Sequence, residues 1–217
     1  MAAPAAGSSP GIWRNGGDDV KGLCDVLGIE RPVVYGNSFG GMVAMAYAAR
    51  HPSHPGKLIL SSTAARIHLD ETFRLFEARG GTEARAVAER FWTRMDEAAL
   101  ADYMRICMPL YNPSGAVTGE QTAARQRAIL RPEVMRHFSL GEIKTMDAVA
   151  GLAAIRCPTL VLAGDYDPIT PLICSQEIFA ALPAGLGRLE IFPGAGHGVH
   201  RDRPDRAEKV LRDFLAA

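Results

Sequence analysis

A short strand, a glycine-rich turn and a buried helix follow one another in residues 33–50, which read Val-Val-Tyr-Gly-Asn-Ser-Phe-Gly-Gly-Met-Val-Ala-Met-Ala-Tyr-Ala-Ala-Arg. The apolar run Pro32–Tyr35 does not alternate with polar residues, which predicts a strand buried on both faces. Gly41–Arg50 is rich in Ala and Met and predicts a buried helix. Ser38 lies in the turn between them, within a G-x-S-x-G pattern. In this strand–turn–helix context the pattern indicates a nucleophilic serine.

The glycines of this turn predict its geometry. We expect Gly36 and Gly40 to occupy positions where a β-carbon would collide with the neighbouring strand or helix. The turn would then hold Ser38 in a strained backbone conformation at the helix N-terminus, where the helix dipole stabilises a developing anion. The backbone N–H of Phe39 would be placed to donate to that oxyanion.

Further apolar runs predict three more strands, at Lys57–Leu60, Thr159–Ala163 and Leu189–Phe192. Helical patterns alternate with these runs. One predicted helix covers Asp18–Leu27 and stops at Gly28, a residue suited to ending a helix; another covers Asp205–Leu215. The apolar face expected for the first helix consists of Val20, Leu23, Cys24 and Leu27. Strands that alternate with helices predict an α/β fold with a mostly parallel sheet.

Residues 67–150 interrupt this alternation, because their pattern is almost entirely helical. The predicted helices are Asp70–Ala78, Thr82–Met95, Glu97–Met108, Glu120–Ile129 and Pro132–Phe138. A helical insertion between two strands predicts a cap over the sheet. We therefore expect an α/β core at residues 18–66 and 151–217, a helical cap at residues 67–150 and a flexible N-terminal arm at residues 1–17.

A serine hydroxyl needs a base to take its proton, and the base needs an orienting acid. Strand Thr159–Ala163 leads into a loop with Asp165 and Asp167, and Leu189–Phe192 leads into a loop with His197. Ligands bind at the carboxyl ends of strands in parallel sheets. We predict Asp167 as the acid, with Asp165 as the alternative and a turn-capping role as its other interpretation. We predict His197 as the base, with His200 as the alternative.

Composition excludes several function classes. Lys plus Arg equals Asp plus Glu at 24 each, so no basic surface for nucleic acid is predicted. The four cysteines are scattered without metal-ligand or disulfide spacing, so we expect reduced thiols. No pair of histidines has metal-ligand spacing, so we predict no metal. The N-terminus lacks the basic and apolar regions of a signal peptide, and no apolar run reaches membrane-spanning length. These features predict a cytoplasmic protein that does not insert into membranes.

The chain resembles the α/β-hydrolase superfamily, and within it the proline-iminopeptidase-like serine hydrolases. The resemblance rests on Gly36–Tyr47 with the following His-Pro-Ser-His-Pro, on Leu160–Pro168 and on Gly194–His197. It implies a cofactor-free enzyme that cleaves an ester or amide bond through an acyl-enzyme, with a small molecule or short peptide as substrate. General esterases and lactonases share these motifs and stay open as alternatives.

The resemblance also implies features that the chain is expected to lack. Such hydrolases have several strands before the helix that we place at Asp18, and a His-Gly-Gly loop that donates a second oxyanion-hole N–H. Residues 1–17 are too short to supply them, so we expect a truncated chain with an exposed strand edge at Val33 and Val34. The edge predicts self-association. A catalytically impaired fragment that acts only as a binding module is therefore a further alternative.

Aromatic residues of the cap are candidates for contact with the substrate. Trp92, Tyr103 and Tyr111 would form an apolar roof over Ser38, although ordinary packing between the cap and the sheet is an equally simple interpretation. Acidic cap residues are candidates for recognising a substrate amine, with solvated helix positions as the alternative; they are Glu89, Asp96 and Glu97.

Overall fold

The structure is a computed structural model that describes residues 11–115, 127, 129 and 131–217. Its strands are β1 (Val33–Asn37), β2 (Lys57–Ser61), β3 (Thr159–Gly164) and β4 (Gly187–Phe192). Its helices outside the cap are α1 (Ile12–Leu27), α2 (Phe39–Arg50), α7 (Val149–Leu152), α8 (Leu172–Ala181), α9 (Val199–Asp202) and α10 (Pro204–Ala216). Cap helices α3 to α6 cover Leu69–Thr93, Glu97–Asp102, Pro132–His137 and Ile143–Thr145.

The four strands form one parallel sheet in the order β1-β2-β3-β4. This confirms the α/β fold class and the position of each predicted strand to within two residues at either end. β3 is buried along its whole length, as a continuous apolar run requires. β1 differs, because its residues alternate between exposed and partly buried positions up to Gly36. Within the described residues β1 is therefore an edge strand.

Helices cover both faces of the sheet. One face packs Leu58, Leu60 and Val161 against α2, α7 and α8. The other face packs Ile59 and Leu160 against α9 and α10. Successive residues of β2 serve opposite faces because side chains alternate along a strand. All four cysteines are free and buried. No helix in the described ranges is both long enough and apolar enough to cross a bilayer.

The N-terminal helix differs from its prediction in extent and orientation. α1 begins at Ile12 rather than at Asp18, so residues 12–17 are helical and do not belong to an arm. It ends at Gly28, whose φ of 64° is the left-handed conformation that favours glycine. Of the predicted apolar face only Cys24 is buried, while Leu23 and Leu27 are exposed. The helix is rotated because Trp13 and Gly17 pack toward the core.

The described part of the cap is helical, as predicted, with different boundaries. Two predicted helices are halves of α3, which breaks at Gly81, where φ is 75°. The helix predicted at Glu97–Met108 starts as α4 and continues through tighter and wider turns to Tyr111. The predicted helix Glu120–Ile129 lies almost wholly outside the described residues. The cap helices share an apolar core that also includes Ile169, beyond the end of β3.

Candidate active site

The turn between β1 and α2 holds Ser38 in a strained conformation. Its φ of 53° and ψ of −123° lie outside the regions that non-glycine residues usually occupy. A β-carbon on Gly36 would lie 2.5 Å from the Gly40 carbonyl oxygen, so only glycine fits there. The same expectation for Gly40 is wrong, because no heavy atom lies within 4 Å of such a carbon. The second crowded position is Gly41, where a β-carbon would lie 2.5 Å from side-chain atoms of Thr63.

Hydrogen bonds to the end of β2 stabilise this conformation. The Ser38 amide donates to the Ser61 carbonyl at 3.0 Å, and the Thr63 hydroxyl donates to the Ser38 carbonyl at 2.7 Å. Phe39 begins α2, so its N–H belongs to the first helical turn, where amides have no partner within the helix. Its ring packs edge-on against Phe138 of the cap at a centroid distance of 4.8 Å. The serine backbone is thus bonded to the sheet, and the neighbouring ring contacts the cap.

Asp167 is a buried carboxylate that accepts hydrogen bonds on both oxygens. Oδ1 accepts the amides of Ile169 at 2.9 Å and Thr170 at 3.1 Å. Oδ2 accepts the Thr170 hydroxyl at 2.5 Å and His197 Nδ1 at 2.7 Å. Burial alone would raise the pKa of Asp167, but the charge of His197 and these hydrogen bonds lower it below its usual value. The carboxylate is therefore an ionised acceptor for the imidazole.

His197 follows β4 and is held from two sides. Its ring bonds to Asp167 and lies 3.4 Å from the Thr170 hydroxyl, and its backbone N–H donates to the Tyr111 carbonyl at 3.0 Å. The Tyr111 ring packs edge-on against the imidazole at 5.3 Å. In the described residues the Ser38 hydroxyl is not among the hydrogen-bond partners of the ring. Contacts between a nucleophile and its base are often long before substrate binds.

Ser38, Asp167 and His197 lie beyond the carboxyl ends of β1, β3 and β4, on one edge of the sheet. The model of the alpha/beta hydrolase fold family matches residues 7–204. This chain belongs to that family. It is 31% identical over 219 residues to the pimeloyl-[acyl-carrier protein] methyl ester esterase of Chromobacterium violaceum, covering 98% of this chain and 81% of the esterase.

Two further comparisons show how broad the similarity is. The α/β-hydrolase is 28% identical over 202 residues to the 2-hydroxy-6-oxononadienedioate/2-hydroxy-6-oxononatrienedioate hydrolase of Comamonas testosteroni, covering 91% of this chain and 67% of that enzyme. The structure of the Mycobacterium smegmatis proline iminopeptidase superposes with a TM-score of 0.65 at 26% identity, covering 92% of this chain and 70% of that structure. The relatives thus include esterases and other hydrolases, and the iminopeptidase is one structural neighbour among them.

The alternative acid and base occupy other places in this α/β-hydrolase. Asp165 is exposed, and its carboxylate accepts the Gly194 amide at 2.6 Å, so it bonds to the loop after β4 and not to the turn in which it lies. His200 contacts Tyr35 of β1, with Nδ1 3.2 Å from the hydroxyl. Burial lowers the pKa of His200. Neither residue takes part in the Asp167–His197 contact.

The three aromatic residues predicted to contact substrate form one cluster within the cap. Trp92 and Tyr103 are buried, and Trp92 Nε1 donates to the Tyr103 hydroxyl at 3.2 Å. The hydroxyls of Tyr103 and Tyr111 are 2.5 Å apart. Burial raises the pKa of both tyrosines, so both hydroxyls keep their protons at neutral pH. Of the three, Tyr111 has its ring against His197.

Two of the three acidic cap residues have local partners in the protein. Glu89 pairs with Arg85 at 2.8 Å, and the Asp96 side chain caps α4 by accepting the Ala99 amide. Glu97 lies in the first turn of α4. Across the described ranges, no group of three or more His, Cys, Asp or Glu side chains is arranged to hold a metal ion.

Two residues near the Asp167–His197 contact were missed by sequence reasoning. Thr170 bonds to Asp167, and its position three residues later in a Pro-containing loop is typical of a side chain that closes such a turn. Asp202 is buried beside the His197 loop, although its position between two arginines before Pro204 suggested only a polar start to the last helix. Its burial depends on tertiary packing that no local pattern reports.

Proposed function

We propose that this α/β-hydrolase is a serine hydrolase that cleaves an ester bond through an acyl-enzyme. Ser38 is the nucleophile, His197 the base and Asp167 the acid. The observation that carries the proposal is the bond between the buried Asp167 carboxylate and His197 Nδ1 at 2.7 Å, on the same sheet edge as the strained Ser38. Such strain is found where a structure presents a reacting group.

The proposed reaction follows from which ring nitrogen of His197 bonds to Asp167. Because Nδ1 is held by Asp167, Nε2 of His197 takes the proton from the Ser38 hydroxyl as Oγ bonds to the substrate carbonyl carbon. The Phe39 N–H stabilises the oxyanion. The imidazolium then gives its proton to the leaving group as the carbon–oxygen bond breaks. Water, deprotonated by the same nitrogen, releases the acyl group and restores the serine.

The preference for an ester rests on the relatives. The Chromobacterium violaceum relative, 31% identical, is described as a methyl ester esterase. A proline-iminopeptidase activity is the second candidate, supported by the Mycobacterium smegmatis structure at 26% identity. The paired side chains of Glu89 and Asp96 leave less support for recognition of a substrate amine. Both activities use the same three side chains and differ in the leaving group.

Counting protons in the aromatic cluster supports a substrate contact for Tyr111. The Trp92 N–H and the two tyrosine hydroxyls supply three protons, but only two hydrogen bonds join these groups. One hydroxyl proton is therefore left over, on Tyr111 when Tyr103 is the donor of their shared bond and on Tyr103 when Tyr111 is the donor. Since the Tyr111 ring packs against His197, we propose that Tyr103 is the donor and that the Tyr111 hydroxyl donates to the substrate. Trp92 and Tyr103 would then shape the roof of the site and hold Tyr111 in position.

A fluorophosphonate probe tests the proposed nucleophile. The probe forms a covalent bond to an activated serine, so wild-type protein should be labelled and Ser38→Ala should not. Ser38→Ala or His197→Ala should also reduce turnover of p-nitrophenyl acetate by about 10⁴–10⁶-fold. If wild type is labelled no better than Ser38→Ala, the chain is not a serine hydrolase, and a binding module is the better description. Faster turnover of proline p-nitroanilide than of the ester would select the iminopeptidase candidate.

A further inference from the structure

Asp202 is a buried carboxylate that both candidate reactions leave without a role. Its side chain is fully excluded from solvent, and each carboxylate oxygen accepts two hydrogen bonds. Oδ1 accepts the Ser114 hydroxyl at 2.7 Å and Arg201 Nε at 2.9 Å. Oδ2 accepts the Gly196 amide at 2.7 Å and a second nitrogen of Arg201 at 3.2 Å. Burial alone would raise the pKa of Asp202, but these bonds lower it.

These bonds converge on the backbone around His197. Gly196 directly precedes the histidine, and its amide is held by Asp202. Arg201, held in place by Asp202, donates at 2.9 Å to the Tyr111 carbonyl, which also accepts the His197 backbone N–H. The approach is close, because a β-carbon on Gly196 would lie 2.3 Å from that carbonyl oxygen. The backbone N–H groups of residues 196 and 197 thus depend on Asp202, one directly and one through Arg201.

The same carboxylate links the base loop to the cap. Tyr111 and Ser114 lie in the cap, close to residue 115, where the first described range ends. Gly196 lies in the loop after β4. A loop is otherwise a poor support for a group that must be held within about 0.5 Å of its working position. A buried, ionised acceptor with directional bonds supplies the rigidity that the loop lacks.

We infer that Asp202 is a positioning residue that holds the His197 loop against the cap segment at Tyr111. The inference rests on the proposed role of His197 as the base. It assigns no contact between Asp202 and the substrate. Loss of the Asp202 charge should therefore displace the imidazole and slow the chemical step, while substrate binding is largely kept.

The test compares Asp202→Asn with Asp205→Asn in the full chain. Asp205 is an exposed carboxylate three residues away, so its variant removes the same charge without touching the loop. Melting curves first establish that both variants fold. We expect Asp202→Asn to lower kcat on p-nitrophenyl acetate by about 10²-fold, the effect of a misplacement near 1 Å, with KM nearly unchanged. The ring ¹⁵N signals of His197 should shift in Asp202→Asn and stay in place in Asp205→Asn.

Each outcome decides one of the two proposals. Equal kcat in the two folded variants, or unchanged His197 signals in Asp202→Asn, would overturn the positioning role. If Asp202→Asn does not fold, Arg201→Lys takes its place, because lysine keeps the charge but loses the forked contacts to Asp202 and Tyr111. Wild-type protein without Ser38-dependent turnover would overturn the proposed function instead, and the His197 signals would still decide the role of Asp202.

Discussion

Asp165 and Asp167 lie two residues apart in one loop, and their surroundings give them different chemistry. Asp167 turns inward, is 1% exposed, and bonds to His197. Asp165 turns outward and accepts one backbone amide from the loop that contains His197. A buried carboxylate with four hydrogen bonds can orient an imidazole and stabilise its charged form. An exposed one that accepts a backbone amide of a neighbouring loop mainly supports the backbone.

Paired amide substitutions separate these two roles. Asp167→Asn should lower kcat by about 10⁴-fold, because an amide that donates to the imidazole favours the wrong tautomer of the base. Asp165→Asn keeps an oxygen that can accept the Gly194 amide, so its activity should stay close to wild type. Steady-state kinetics of both variants on p-nitrophenyl acetate make the comparison. A larger loss in Asp165→Asn would show that the acid has been misassigned.

The backbone at the junction of β1 and α2 is tightly packed at Gly36 and open at Gly40. Gly36 packs against the backbone of Gly40 and Gly41, which cannot move without disturbing the first turn of α2. Gly40 itself faces open space. The two glycines of the sequence motif therefore differ, since a β-carbon would collide with backbone at Gly36 and would meet free space at Gly40.

Alanine substitutions at the two positions should have different effects on stability. Gly36→Ala should destabilise the fold by about 1–3 kcal/mol, the range for overpacking a tight site. Gly40→Ala lies in a helix with free space, so it should be neutral or stabilising by up to about 1 kcal/mol. Urea unfolding measures the free energy of unfolding of both variants. Equal stability of the two variants would contradict the expected crowding at Gly36, and destabilisation by Gly40→Ala would contradict the free space at Gly40.

The two edge strands of the described sheet, β1 and β4, differ in the side chains that they expose. β4 carries Arg188 and Glu190, which pair with each other at 2.8 Å, and charged side chains of this kind discourage pairing with another strand. β1 instead exposes Val33 at 51% and Tyr35 at 47%. Among the described residues, β1 has a hydrogen-bonded neighbour on one side only. We therefore keep self-association through β1, with a second copy of this chain as the partner, as a proposal.

A lysine on the β1 edge should suppress this association. Sedimentation velocity over a range of concentrations should show wild type forming dimers or larger species and Val33→Lys staying monomeric. Val26→Lys is the matched control, because Val26 is 85% exposed on α1 and lies off the strand. The proposal fails if wild type is monomeric throughout. Suppression by Val26→Lys alone would instead assign the contact to α1.

Local patterns were sufficient for the fold class and for the order of the candidate site residues along the chain. Apolar runs marked all four strands, because a strand buried on both faces needs consecutive apolar residues. The G-x-S-x-G turn indicated where Ser38 would be strained, since few backbones other than a strand-to-helix turn require those residues. The loops after β3 and β4 could be placed on the same side of the sheet as Ser38, because the carboxyl ends of parallel strands all point to that side.

Tertiary packing alone decided what the patterns left open. The choice of Asp167 over Asp165 as the partner of His197 depends on which carboxylate turns inward, and both occupy the same loop. The rotation of α1 depends on Trp13 and Gly17 reaching the core, and its amphipathic pattern favoured another face. Asp202 is buried because Arg201, Ser114 and Gly196 meet around it. Contacts such as that of Ser114 with Asp202 join residues far apart in the chain, and local periodicity contains no information about them.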